Sequence, residues 1–187
     1  ARIWLPDDAE QNPVPAILEY LPYRKRDGTY ERDALTHPYL AGHGYAGVRV
    51  DIRGSGESGG LLFDEYAKQE QDDGVEVIAW LAAQPWCSGK VGMNGISYYA
   101  MNQWHAAPLK PPHLAALCIW EGSSDYYREL CRHGGILCDF LADWSRRQIT
   151  SVQHGVGERG PKSPVTGELA AGPRTLPEAE LTKKRDA

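Results

Sequence analysis

Apolar residues gather in short runs set apart by polar turns and by longer stretches of helical spacing. Pro15-Ala16-Ile17-Leu18-Glu19-Tyr20-Leu21 is a run bounded by prolines, of the length and composition of a buried strand. Tyr45-Ala46-Gly47-Val48-Arg49-Val50-Asp51, Lys90-Val91-Gly92-Met93-Asn94-Gly95 and Leu114-Ala115-Ala116-Leu117-Cys118-Ile119-Trp120 repeat the pattern, and residues 1–6 read as the end of a strand. Between them the spacing predicts helices. One runs over about 33–41 and stops at Gly42-His43-Gly44. A second covers about 64–83, with Val77, Ile78, Leu81 and Ala82 on one face and Glu65, Lys68, Gln69 and Asp73 elsewhere. A third runs from near Tyr99 to about 107. Strand and helix alternate four times, which predicts an α/β fold: a mostly parallel sheet with helices on both faces and ligands at the carboxyl ends of its strands.

After Trp120 the character changes. Residues 122–147 read as helical and carry Tyr126, Tyr127, Phe140 and Trp144, whereas 148–187 are rich in Gly, Pro, Ser, Thr and charge and make a poor core. The expected division is a core over 1–120 and a helical segment with an irregular polar tail over 121–187. Composition changes this picture little. With 25 acidic against 20 basic residues there is no footprint for nucleic acid or an anionic membrane, and no apolar run approaches the ~18 residues of a spanning helix. Cys87, Cys118, Cys131 and Cys138 are unevenly spaced, which points to free thiols and a reducing, cytoplasmic setting. The start shows neither an initiator Met nor a signal peptide, and reads as the middle of a protein or a processed end.

The chemistry concentrates at strand exits. Gly95-Ile96-Ser97 ends the third run with a serine at the apex of a strand–turn–helix, the front half of a nucleophile elbow, although Tyr99 stands where G-x-S-x-G has its last glycine. Tyr23, in Leu21-Pro22-Tyr23-Arg24-Lys25, is either a phenol aimed at an oxyanion or a half-buried tyrosine with a satisfied hydroxyl. Gly54-Ser55-Gly56-Glu57-Ser58-Gly59 matches G-x-G-x-x-G, which opens a dinucleotide reading. Gly60 and an apolar link follow instead of a helix, which favours a structural loop held by an Asp51–Arg53 pair. Cys131, His133, Cys138 and Asp139 match no zinc spacing and read as buried thiols near a polar histidine. His105 lies too far down the helix from Ser97 to act as its base. His133 and His154, with Asp125, Asp139 and Asp143, follow Ser97 but sit at no recognisable strand end.

In order and at their separations, these segments resemble the family of the bacterial cocaine esterase, the X-Pro dipeptidyl-peptidases and the α-amino-acid ester hydrolases. Four stretches carry the resemblance: residues 21–25; residues 51–60; Trp80 with residues 85–93; and Gly95-Ile96-Ser97-Tyr98-Tyr99. The family elbow is G-x-S-Y-x-G, so Tyr98 fits and Ala100 replaces the last glycine. The resemblance implies an α/β-hydrolase fold running into the start of a helical cap, and a serine hydrolase needing no cofactor. Ser97 would be the nucleophile, the Tyr23 hydroxyl one oxyanion donor and the Tyr98 backbone N–H the other. The substrate would be a small acyl ester, an amide or a short peptide, with assembly of identical chains left open. It also implies that the triad acid and histidine follow the cap, so that neither maps onto a residue here. Asp125, Asp139 and Asp143 are either sites for a substrate ammonium or solvated charge. A non-catalytic scaffold with an intact elbow is the main alternative, and an oxidoreductase using residues 54–59 the other.

Overall fold

The structure is a computed structural model and describes residues 1–187 apart from 158–159, 170–171, 173–174 and 187, with the side chains of 185 and 186 also outside the description. Five strands form one sheet in the order β1-β3-β2-β4-β5: β1 (Arg2–Trp4), β2 (Val14–Leu21), β3 (Ala46–Asp51), β4 (Cys87–Ile96) and β5 (Leu114–Trp120). β2 to β5 are parallel and β1 pairs antiparallel at one edge. The central strands are apolar on both faces because both are covered: Ala16, Leu18, Val48 and Val91 are fully buried. Helices α1 (Tyr30–Gly42), α2 (Lys68–Ala82) and α3 (Tyr98–Ala106) make the crossovers. Right-handed connections place α1 on one face and α2 and α3 together on the other. β5 is the outer edge, and Trp120 at its end is 60% exposed. Among the described residues no helix is long and apolar enough to cross a membrane.

Several sequence expectations need correction. α2 starts at Lys68, not near residue 64, because Tyr66 has φ 58° and Ala67 is extended. Residues 122–147 are not one helix. A π-helical turn (Tyr127–Cys131) leads into a two-strand hairpin, β6 (Arg132–His133) and β7 (Ile136–Leu137). Gly134 and Gly135 turn it, both with positive φ, which only glycine adopts freely in sequence. Helix then runs from 140 to 154 as α4 (Phe140–Asp143), a π-helical stretch (Trp144–Ile149) and α5 (Thr150–His154). The tail is less irregular than expected: α6 (Glu178–Asp186) buries Leu181, and α5 buries Val152. All four cysteines are free, but Cys131 and Cys138 are half-buried across the hairpin, and only Cys87 is buried. Arg53 pairs with Asp73 at 2.6 Å and not with Asp51, which is engaged by Lys25 and Arg49.

Charge is buried beneath the carboxyl ends of the strands. Asn94 donates to Glu19 at 2.9 Å, and Arg32 donates to Glu19 and to Asp33 at 2.5 and 2.7 Å. Arg49, fully buried, lies 3.4 Å from Asp33 and 3.5 Å from Asp51. Glu19, Asp33 and His37 come within 4.8 Å of one another. Two guanidinium groups already supply the countercharge there, so the trio is an ion-pair network. Burial holds His37, stacked on Trp4 at 4.3 Å, down to about 4.

On α2 the buried stripe is Glu70, Gly74, Ile78 and Leu81, so a carboxylate lies on an otherwise apolar face. Burial pushes Glu70 up to about 7. Its contribution to stability is complete below its unfolded value near 4.5 and is lost as pH rises through 7. The contribution of neutral His37 is complete above 6.5 and is lost as pH falls through 4. Each is worth roughly 3 kcal/mol over its window, with opposite signs, so the two nearly cancel. Between pH 7 and 4.5, urea unfolding of the whole protein should therefore show Glu70→Gln losing about 3 kcal/mol relative to wild type, and His37→Phe gaining a similar amount. Parallel stability curves for Glu70→Gln and wild type would rule out the assignment.

Candidate active site

Ser97 stands between the end of β4 and the first turn of α3, with φ 58° and ψ −119°. A non-glycine residue in this region stores about 1–3 kcal/mol of strain. The turn is held on both sides: Ser97 N–H donates to Trp120 O at 3.2 Å, and Ser97 O accepts from the N–H groups of Ala100 and Met101 at 2.9 and 3.0 Å. Gly95 is required by close approach, since a Cβ there would lie 2.3 Å from the Tyr99 carbonyl oxygen. The missing glycine at Tyr99 is no defect. Its ring is buried, and its hydroxyl accepts from Arg32.

Tyr23 reaches the same point from the end of β2. Its hydroxyl is hydrogen-bonded to the Ser97 side chain and to the Tyr98 backbone. Burial outweighs these contacts and pushes the phenol up to about 12, so it is neutral and able to donate at ordinary pH. Its ring meets Tyr98, Tyr99 and Trp144 edge-on at 6.0–6.2 Å. Around it the backbone is clamped. Asp51 Oδ1 accepts Lys25 N–H at 2.8 Å, Asp51 Oδ2 accepts Lys25 Nζ at 3.2 Å, and Ser55 Oγ donates to Pro22 O.

The glycine-rich loop therefore acts as a template for the Tyr23 segment. A Cβ at Gly56 would lie 2.2 Å from Asp51 Oδ2, and one at Gly54 2.2 Å from Leu62 N. The glycines pack on their own chain, and no helix opens at Gly59, the arrangement that a dinucleotide site needs.

A cavity of about 320 Å³ opens over Ser97, walled by Tyr66, Met101, Leu130, Phe140 and Trp144, with Glu121 and Glu129 at its edge. Segment 121–154 is fastened to the core at Glu65, which accepts Trp144 Nε1–H at 2.7 Å and the Tyr126 hydroxyl at 3.3 Å. The structure thus brings Ser97, Tyr23 and Tyr98 together. It does not bring the others: Asp125, Asp139, Asp143, His133 and His154 do not line this cavity. Asp125 pairs with Arg128, Asp143 with Arg147, and the His133 ring bonds Glu129 O. His105 meets the Tyr66 ring edge-on at 5.3 Å. Sequence reasoning missed Tyr66, Glu121 and Glu129. Of these, only Glu121 carried a signal, as the first residue beyond a strand end.

A mostly parallel sheet with a strained serine at the exit of a central strand defines a protein of the α/β-hydrolase class. Within that class the chain belongs to the X-Pro dipeptidyl-peptidase (S15) family, which it matches over residues 1–179. It is 33% identical to the cocaine esterase of Rhodococcus sp. over 136 residues, 71% of this chain and 23% of that protein. A CocE/NonD family hydrolase from Staphylococcus aureus superposes with a TM-score of 0.67 at 34% identity, covering 77% of this chain and 29% of that one. An α-amino-acid ester hydrolase shares the fold, with a TM-score of 0.62 at 22% identity over 79% of this chain and 27% of that one. The matched segment spans 20–23% of the length of the curated relatives.

Proposed function

We propose that the chain carries the nucleophile and oxyanion site of a serine hydrolase that cleaves small esters, amides or short peptides through an acyl-enzyme on Ser97. The observation that supports this most is the convergence of the Tyr23 hydroxyl and the Tyr98 backbone on a serine held in a strained elbow. Ser97 Oγ bonds to the substrate carbonyl carbon and gives its proton to a base. The carbonyl electron pair becomes an oxyanion, received by the Tyr23 hydroxyl and the Tyr98 N–H. The C–O or C–N bond then breaks, the leaving group takes the proton, and water repeats the sequence on the acyl-enzyme. The aromatic cavity is of a size for a small acyl group.

No histidine lines the cavity among the described residues, so the base and its acid come from residues outside this sequence. The test is fluorophosphonate labelling read by peptide mass spectrometry, on this chain and on the whole protein. Label on Ser97 in the whole protein alone is the expected result. Label in this chain as well would move the base to His133 or His154. No label in either would leave the scaffold reading.

A further inference from the structure

We propose that Glu70 is a positioning residue for this acyl transfer, gripping the Tyr98 hydroxyl and thereby fixing the Tyr98 peptide N–H beside the Tyr23 hydroxyl; the proposal rests on the serine-hydrolase reading above. Tyr98 follows Ser97 directly, and its side chain runs away from the cavity into the α2–α3 interface. There its hydroxyl donates to Glu70 Oε2 at 2.7 Å. The same oxygen accepts the Tyr66 backbone N–H at 3.0 Å. The Tyr66 ring stacks on the Tyr98 ring at 4.4 Å and forms part of the cavity wall. One carboxylate oxygen therefore joins the oxyanion residue, the wall of the acyl cavity and helix α2.

The chemistry is costly for stability alone. Glu70 is 6% exposed and has no ion-pair partner among the described residues, and its hydrogen-bond donors are neutral. Its second oxygen, Oε1, accepts no close hydrogen bond, because the Asn102 amide beside it donates to Tyr20 O at 2.6 Å. A buried carboxylate without a cation is unfavourable where an apolar side chain would fill the stripe continued by Gly74, Ile78 and Leu81. What the carboxylate adds is direction. It fixes two donors from different segments at one point. Misplacing an oxyanion donor by about 1 Å costs on the order of 100-fold in rate.

The test uses the whole protein with a chromogenic ester. Glu70→Ala should lower kcat about 10- to 100-fold with KM changed less than threefold, while Glu70→Gln, whose amide oxygen still accepts, should recover to within about fivefold of wild type. Tyr98→Phe keeps the N–H but removes the hydroxyl, and should match Glu70→Ala. Glu70→Ala combined with Tyr98→Phe should be no slower than either alone, since both remove one contact. Multiplicative losses in the double variant, or full kcat in a folded Tyr98→Phe, would overturn the positioning role. Fluorophosphonate labelling of wild-type Ser97 separates the two readings. With label present, those outcomes sink only Glu70. With label absent, the serine-hydrolase reading falls and Glu70 with it.

Discussion

Ser97→Ala is expected to lower turnover of the whole protein roughly a million-fold, the scale on which loss of a triad serine acts, while leaving binding of a non-hydrolysable analogue within a few-fold of wild type. Alanine retains the Cβ and leaves the strained turn and its backbone hydrogen bonds in place, so only the nucleophilic oxygen is removed. The competing nucleophile is Ser123, which also borders the cavity and donates to Glu129 Oε2 at 2.6 Å. That pair looks like a serine with a base beside it, but the base is a poor one. The Ser123 contact and the neighbouring backbone N–H of Ser124 hold exposed Glu129 below the usual carboxylate range. An acid that gives up its proton so readily takes one from a hydroxyl only weakly. Ser123 is also exposed and stands on no elbow. Ser123→Ala should therefore keep turnover within about fivefold, a surface-contact effect of about 1 kcal/mol at most. Substantial turnover in Ser97→Ala, lost again on adding Ser123→Ala, would transfer the chemistry to Ser123.

How much of this was legible in the sequence depends on which interaction fixes each feature. The sheet was legible because each central strand is buried on both faces, so hydrophobicity alone marks it. Gly95-Ile96-Ser97 was legible because the close approach of strand and helix leaves room only for glycine at 95. Glu70 was not. It lies four residues before Gly74 and eight before Ile78, on the buried stripe, but a carboxylate reads as a solvent-facing position until its partners from α3 and the Tyr66 loop are known. The same holds for Asp51 and Arg53. Adjacency in sequence suggested a pair, whereas the side chain of Asp51, at the buried end of β3, turns inward to Lys25 and Arg53 reaches out to Asp73. Segment 122–147 failed for a local reason. Its aromatic spacing suggested helix, yet Gly134-Gly135 favours a hairpin turn, and that signal outweighs the weak helical period.

Tyr23→Phe is expected to lower kcat about 100- to 1,000-fold with little change in KM, the loss associated with one oxyanion donor. The substitution removes one oxygen and little else. The Tyr23 ring is wedged among Tyr98, Tyr99 and Trp144. Its backbone is held from behind by Asp51 through Lys25 and by Ser55 through Pro22, and Arg24 next to it, at φ 64°, is anchored to Asp27 at 2.8 Å. A phenylalanine ring should keep that place, so packing and the Tyr98 N–H survive and the deficit isolates the hydroxyl. The hydroxyl contacts Ser97 in the resting site and must turn its donor to the oxyanion as charge develops, so its contribution grows from ground state to transition state and belongs in kcat. Because burial pushes the phenol up to about 12, the donor stays protonated across the working range, and the ratio of wild-type to Tyr23→Phe rates should be flat from pH 6 to about 9. A ratio that collapsed toward one well below pH 12 would mean that the phenol ionises early and does not serve as the donor. A ratio near one at every pH would leave the oxyanion to Tyr98 and a partner other than Tyr23.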